Sequence, residues 1–217
     1  MGILERKERE KLRRRQDILE AAKNSFAKRG FMNTTIEQIA QESELSTGTI
    51  YLYFSGKEEL YVSLIVETYD ILIKKLEETL KQDMAPDELL VSIAITYYDF
   101  CKTHSNHYKI LNFVINEHKN LNLSPELLDK IDDKFDIVFK MVTDVIQQGI
   151  KIGVFKQIDS WDITSIFWGS LNGIIQTQTS VDYFKGRTTD VESLIRKNLE
   201  LMVLAIKAEE DAFVNIS

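Results

Sequence analysis

Apolar residues recur at helical spacing along almost the whole chain, in stretches such as Ile18, Ala22 and Phe26. No stretch alternates between apolar and polar residues in the manner of a half-buried strand. A helix stop signal agrees with this pattern, because Gly30 follows the first periodic stretch. The pattern predicts an all-α fold of about nine helices, at residues 12–29, 35–43, 47–54, 57–81, 86–104, 106–117, 125–152, 160–180 and 189–209.

The segment after the first predicted helix contains two short helices that a plain helical core does not require. Two overlapping capping-box patterns, Thr34 with Glu37 and Thr35 with Gln38, predict where the first of them begins. Ser46 is the expected N-cap of the second. This is the layout of a helix-turn-helix, whose second helix exposes hydroxyl and aromatic side chains that are able to contact phosphates and base edges.

The run from Phe26 to Leu60 reads FAKRGFMNTTIEQIAQESELSTGTIYLYFSGKEEL. Over residues 13–60 the chain resembles the DNA-binding domain of TetR-type transcriptional regulators. The resemblance implies a helix-turn-helix domain with a basic N-terminal arm at 1–56, and a helical effector-binding and dimerisation domain at 57–217. It also implies a homodimer that binds a palindromic operator in double-stranded DNA and is released by a small molecule.

The same resemblance assigns DNA contacts to individual residues. Thr34 and Thr35 would contact phosphate from the start of the second helix, while the third helix reads the major groove and a Tyr and a Lys hold the DNA backbone. The implied DNA-binding set is Thr34, Thr35, Ser46, Thr47, Gly48, Thr49, Tyr51, Leu52, Tyr53 and Lys57.

One residue departs from the family pattern, since Glu44 stands where the family turn usually has Gly. A left-handed backbone at this position would cost about 1 kcal/mol. It would also place a carboxylate near the DNA, so we expect the Glu44 side chain to point away from the phosphates.

The charge is distributed unevenly along the chain. The 217 residues include 27 Lys and Arg against 34 Asp and Glu, a net charge of −7, yet the first 15 residues hold seven basic and three acidic groups. This asymmetry indicates an N-terminal segment that faces a polyanion. An alternative is a solvated helix, because Glu5 with Arg9 and Glu10 with Arg14 are i,i+4 pairs that stabilise a helix without any ligand.

The last two predicted helices carry more apolar surface than one face can bury inside a subunit. Residues 189–209 are apolar nearly all round, and Gly169 and Gly173 would let another helix approach closely. Paired with their copies, these helices would form a four-helix dimer interface. A crowded core within one chain is the alternative. The predicted interface residues are Phe167, Ser170, Gly173, Ile174, Leu199, Met202 and Ile206.

The middle helices contain an aromatic-rich region that suits an apolar effector with a few polar groups, although a helical core has the same composition. The proposed effector contacts are Tyr97, Cys101, His104, Phe113 and Phe139. Cys101, His104 and His107 also have a spacing that permits metal binding, but Cys101 lies on an apolar stripe and no second Cys is present. We expect no metal and no cofactor.

Other classes of protein fit the sequence less well. The chain has no Gly-x-Ser-x-Gly, phosphate-loop, dinucleotide or His-Glu-x-x-His motif, which argues against an enzyme. A helical adaptor and a metal-responsive regulator that uses Cys101 and His104 remain alternatives to an effector-released repressor. The lone Cys101, the lack of a leader-like segment and the lack of an apolar run of about 18 residues predict a cytoplasmic protein that does not contact a membrane.

Overall fold

The computed structural model describes residues 2–117, 121, 123–179 and 190–208. In these ranges the chain is all-α, as predicted, and its only β-type pairing is an isolated bridge between Phe155 and Lys207. The helices are α1 (Ile3–Arg29), α2 (Ile36–Glu42), α3 (Thr47–Tyr51), α4 (Lys57–Leu80), α5 (Pro86–Thr103), α6 (Ser105–Glu117), α7 (Pro125–Lys151), α8 (Ser160–Thr179) and α9 (Val191–Ile206). No helix within these ranges has both the length and the apolar character needed to cross a bilayer.

Three helix boundaries differ from the prediction by three residues or more. Helix α1 begins at Ile3 rather than at residue 12, because its first turns are polar and apolar periodicity does not reveal them. The Gly2 backbone N–H donates to the Glu5 carboxylate at 3.0 Å and satisfies one open donor of the first turn. Helix α3 ends at Tyr51 rather than at residue 54. Helix α9 ends at Ile206 rather than at residue 209. The positions 180, 189 and 209 themselves lie outside the described residues.

The chain divides into two compact units, the first of which comprises Met1–Ile71 and Phe100–Phe135. Its core contains a cluster of aromatic rings. Tyr61 packs against Phe26 and Phe31 with ring centroids 5.1 and 4.8 Å apart, and against Phe113 at 6.0 Å. The Tyr61 hydroxyl also donates to the carbonyl oxygen of Ile110 at 2.8 Å. Helix α1 and the loop that follows it are therefore packed on α4 and α6.

The second unit comprises Leu72–Asp99 and Asp136–Ser217. Within it, Phe155 is almost fully buried beside Gly149, where a Cβ atom would overlap the Phe155 ring. Among the other core residues of this unit are Leu90, Ile93, Phe167, Leu171, Ile195 and Leu199. The predicted functional boundary between residues 56 and 57 stays a prediction.

Candidate nucleic-acid interface

Helix α2 begins at a capping box formed by Thr35 and Gln38. The Thr35 N–H donates to Gln38 Oε1 at 3.0 Å, and the Gln38 N–H donates to Thr35 Oγ1 at 3.3 Å. The box predicted for Thr34 and Glu37 does not form. Thr34 is only 1% exposed, and its hydroxyl donates to the Gly30 carbonyl oxygen at 2.8 Å. This burial corrects the phosphate contact predicted for the Thr34 side chain and leaves Thr35 as the exposed residue.

A partly exposed polar cluster holds α2 against α1. Arg29 forms an ion pair with Glu42, while the Ser25 hydroxyl donates to Glu42 Oε2 at 2.6 Å and accepts from Arg29 Nη2 at 3.2 Å. Burial acts to raise the pKa of Glu42, but the hydrogen bonds from Ser25 and Arg29 together with the Arg29 charge leave the pKa lowered. Glu42 is therefore held as a carboxylate. The spacing of apolar residues along the sequence did not reveal this cluster, because its members are polar.

The turn between α2 and α3 passes through Glu44, which has a φ of 55°. The left-handed backbone anticipated at this position is present, and the Leu45 N–H donates to the Ala40 carbonyl oxygen at 2.9 Å to close the end of α2. The Glu44 side chain is exposed. Its orientation relative to bound phosphates stays a prediction.

Helix α3 is short and rests on one buried residue. Ser46 caps it, because Ser46 Oγ accepts from the Thr49 N–H at 3.1 Å and lies 2.9 Å from Thr49 Oγ1. Ile50 is fully buried, whereas Leu52, directly after the helix, is 80% exposed. The remaining predicted contacts Thr47, Gly48, Thr49 and Tyr51 are exposed or half-buried. This side of α3 is therefore open to a partner.

Lys57 lies half-buried at the start of α4 and is bound within the chain. Its Nζ donates to the Phe31 carbonyl oxygen at 3.0 Å and lies 4.3 Å from the centroid of the Phe31 ring. An ammonium group has three N–H donors, so the bond to Phe31 leaves donors for a phosphate. The structure therefore defines the position of the Lys57 side chain, while its contact with phosphate stays a prediction.

Tyr53 is the second residue predicted to hold the DNA backbone, and it lies in a groove of about 440 Å³. The other residues that line this groove come from the early turns of α1 and are Arg6, Lys7, Glu10, Lys11 and Arg14. The sequence marked this segment only as a basic cluster. The fold adds that the cluster is helical and lies beside Tyr53.

The five residues predicted to bind an effector are divided between the two units. In the first unit, Phe113 belongs to the aromatic cluster around Tyr61, and His104 stacks on Phe100 with centroids 5.1 Å apart. Cys101 is buried in the same unit. In the second unit the Tyr97 hydroxyl donates to Asn172 Oδ1 at 2.8 Å. Phe139 packs on Trp161 at 4.3 Å. Their role toward an effector stays a prediction.

The possible metal ligands in α5 and α6 have other partners. His107 Nδ1 lies 3.0 Å from the Thr68 hydroxyl, and His104 Nδ1 lies 2.8 Å from the Thr103 hydroxyl. Burial, the positive charge of Lys23 and neighbouring His104 lower the pKa of His107 to about 4. Among the residues that the structure describes, no group of three or more His, Cys, Asp or Glu side chains is placed to hold a metal ion.

Three of the residues predicted for a dimer interface are core residues of the second unit. Phe167, Leu199 and Ile206 are buried within the chain, which corrects their assignment to an interface with a second copy. Ser170 is bound to Asn198, whose amide donates to Ser170 Oγ at 2.9 Å. Gly173 is exposed, and Ile174 and Met202 are half-buried. The large exposed apolar side chains of α8 and α9 are instead Trp161, Ile166, Leu201 and Leu204.

A capped, five-residue helix that follows a tight turn and exposes hydroxyl and aromatic side chains defines a DNA-binding protein of the helix-turn-helix class. Residues 18–64 match the family described as bacterial regulatory proteins, tetR family. This stretch, which contains α2 and α3, is therefore a DNA-binding domain of the TetR family of transcriptional regulators.

The chain is also similar to named regulators and to solved structures. The chain is 25% identical over 190 residues to the fatty acid metabolism regulator protein of Bacillus subtilis, which covers 87% of this chain and 93% of the relative. It is 29% identical over 143 residues to the transcriptional repressor KstR2 of Mycobacterium tuberculosis, covering 66% and 70% of the two chains. The solved structure of FadR from Bacillus subtilis in complex with stearoyl-CoA has the same fold, with a TM-score of 0.73, 24% identity and coverage of 88% and 98%.

Proposed function

We propose that this regulator is a repressor that binds a palindromic operator as a homodimer and leaves it when a small, apolar effector binds. The exposed side of α3 is the observation that carries the DNA-binding role. Thr47 and Thr49 offer hydroxyl groups and Leu52 an apolar side chain that suits thymine methyl groups. A repressor acts where the DNA is, so the cytoplasmic location predicted from the sequence belongs to this proposal.

Within the interface, phosphate contacts and base contacts are assigned to different residues. Thr35, Tyr53 and Lys57 hold phosphates, because they flank α3 with hydroxyl or ammonium donors. Thr49 and Leu52 discriminate between bases. Ser46 acts through Thr49, because Ser46 Oγ is bound to the Thr49 N–H and lies 2.9 Å from Thr49 Oγ1, which fixes the rotamer of the reading side chain.

Selection of bound sequences from a random DNA pool tests this assignment. The expected product is an inverted repeat whose half-sites lie about 34–36 Å apart, or a multiple of that distance. A Thr49→Ala variant should select the same repeat with relaxed preference at one base pair per half-site. A pool without enrichment above a non-binding control would refute operator binding.

The surface of α8 and α9 supports the homodimer. A Cβ atom added at Gly169 or Gly173 would have no neighbour within 4 Å, although a glycine inside a helix costs about 1 kcal/mol relative to alanine. Packing inside the chain therefore does not require either glycine. Leu204 is 74% exposed on α9, and Ile166 is exposed on α8. A second copy of the same surface would bury these apolar groups and use the space at both glycines.

The effector is proposed to be apolar with a hydrogen-bond acceptor. The Tyr97 ring packs edge-on against Trp168 at 5.1 Å, and Trp168 Nε1 is buried without a hydrogen-bond partner among the described residues. A buried donor without a partner costs about 1–3 kcal/mol, and an acceptor on a bound molecule would recover that cost. Stearoyl-CoA is the first probe to test, because the related FadR was solved in complex with it.

A further inference from the structure

The first half of α1 adds no described residue to the core, and only its last turn, through Arg15 on the Phe54 ring at 4.9 Å, contacts it. Every described side chain from Glu5 to Asp17 is exposed, and the first buried residue of the helix is Ile18. The segment from residue 3 to residue 17 extends for about 22 Å at 1.5 Å per residue. It holds seven basic and four acidic residues. Its side chains are therefore placed for contact with something outside the chain.

Positive charge is concentrated on the side of this segment that faces Tyr53. Arg6, Lys7, Lys11 and Arg14 line the 440 Å³ groove together with Tyr53 and a single acid, Glu10. Glu10 already has cationic partners, because its carboxylate lies 3.1 Å from Arg14 Nη2 and 4.0 Å from Arg13 Nη2. Lys7 and Lys11 form no ion pair with any residue that the structure describes. The groove therefore has a positive charge that the chain itself leaves unmatched.

The position of the groove indicates its partner. Tyr53 lies two residues beyond the end of α3, so the groove adjoins the helix that enters the major groove. Phosphates border the major groove on both sides, and lysine, arginine and tyrosine side chains are common phosphate ligands. A polyanion in this place is the DNA backbone itself.

We propose that the groove of Arg6, Lys7, Lys11, Arg14 and Tyr53, called here the α1 clamp, binds DNA phosphates beside the base pairs that α3 reads. This proposal rests on the DNA-binding function and adds contacts outside the base pairs read by the helix-turn-helix. The clamp raises affinity without reading sequence, because phosphate contacts are the same for every base pair. It also lengthens the duplex that each subunit covers.

A double variant, Lys7→Gln with Lys11→Gln, tests the clamp. Binding is measured across a series of salt concentrations with the selected operator in two duplexes, one trimmed to the enriched base pairs and one with flanking base pairs on both sides. Loss of two phosphate contacts per subunit, or four per dimer, should flatten the slope of log K against log salt by about 3.6 on the longer duplex, and weaken binding there at least tenfold. On the trimmed duplex, wild type and variant should bind with similar affinity, and both should select the same operator.

The control is Lys74→Gln with Lys151→Gln, which removes the same charge from two exposed positions of the second unit. Circular dichroism shows whether both variants keep their helix content. Equal weakening by the control would mean that net charge alone is responsible and would overturn the clamp. Unchanged binding of the Lys7 and Lys11 variant to the longer duplex, or a change in its selected bases, would also overturn it. Failure of the wild type to select any operator would instead refute the proposed function.

Discussion

Glu44 holds a left-handed backbone conformation in the turn before the reading helix, with a φ of 55°. Glycine adopts this conformation without the steric cost that a Cβ atom adds, which is about 1–2 kcal/mol before the larger chain entropy of unfolded glycine is subtracted. We expect Glu44→Gly to raise the free energy of unfolding by about 0.5–1 kcal/mol in a urea titration. Glu44→Ala keeps the strained backbone and removes only the charge, so an equal gain for alanine would assign the effect to the carboxylate.

His107 couples the stability of the first unit to pH. Its pKa is lowered to about 4 by burial, with further contributions from Lys23 and His104 and an opposing one from Glu20, so the folded protein keeps it neutral. In the unfolded chain it titrates near 6.5. The unfolded state therefore binds more protons between these two values, and stability falls as the pH falls from about 6.5 toward 4.

The expected loss from this residue is about 2 kcal/mol between pH 7 and pH 5. His107→Asn removes the titration and keeps an oxygen near the Thr68 hydroxyl, which lies 3.0 Å from His107 Nδ1. Urea titrations of both proteins at pH 7 and pH 5 measure the difference. An identical pH dependence in wild type and variant would show that His107 does not titrate in this range.

At the scale of helices, the position of α3 depends on how α2 is held against α1. Glu42 binds Arg29 and Ser25 together, and it is the acidic group between these two helices. We expect Glu42→Gln to lower the free energy of unfolding by about 1–3 kcal/mol at pH 7, because Arg29 loses its charged partner in a part-buried site. Operator affinity should also fall, since α2 supports the turn that places α3.

Glu78→Gln is the matched control, because it removes an exposed acid from α4. Its free energy of unfolding should remain within about 0.5 kcal/mol of wild type. If Glu42→Gln behaves like this control, the cluster does not contribute to holding α2.

The whole molecule is predicted to act as a dimer. Two substitutions of Gly173 test the stability of the single chain and its association separately. Gly173→Ala should stabilise α8 by up to about 1 kcal/mol, since a Cβ atom there meets no neighbour within 4 Å. Gly173→Trp should weaken association by keeping the two copies apart. A urea titration measures the first effect, and sedimentation velocity at micromolar concentration measures the second. A wild type that sediments as a stable monomer, or a tryptophan variant that sediments like the wild-type dimer, would contradict the proposed interface.

Effector and operator must influence each other if the protein is a ligand-released repressor. A hundredfold loss of operator affinity corresponds to about 2.7 kcal/mol of coupling, and the operator must weaken effector binding by the same factor. Helices α4, α5 and α7 each contribute residues to both units, so such coupling can pass along any of the three. Titration calorimetry with stearoyl-CoA, with and without operator, measures the coupling. Equal affinity in both titrations would show that this probe does not regulate DNA binding.

Much of the helix-turn-helix could be predicted because its sequence signals are local. The Thr35 and Gln38 box and the Ser46 cap depend on hydrogen bonds within a few residues, and both are present. The left-handed backbone at Glu44 was suggested only by the resemblance to a family that usually has Gly there, and it is also present. Helical period likewise predicted the all-α class, since it reflects which side of each helix is apolar. The polar start of α1 escaped the prediction for the same reason, because it has no apolar side.

Contacts between distant parts of the chain could not be obtained from these local signals. Thr34 and Thr35 are neighbours with the same side chain, yet Thr34 is buried against α1 while Thr35 caps α2. Leu199 and Leu201 both belong to the apolar surface of α9, but only the first is buried. Which of two identical residues is buried depends on the helix that packs against it. The spacing of apolar residues in the sequence does not identify that neighbouring helix. Tertiary packing alone placed Lys57 on Phe31 and the basic turns of α1 beside Tyr53.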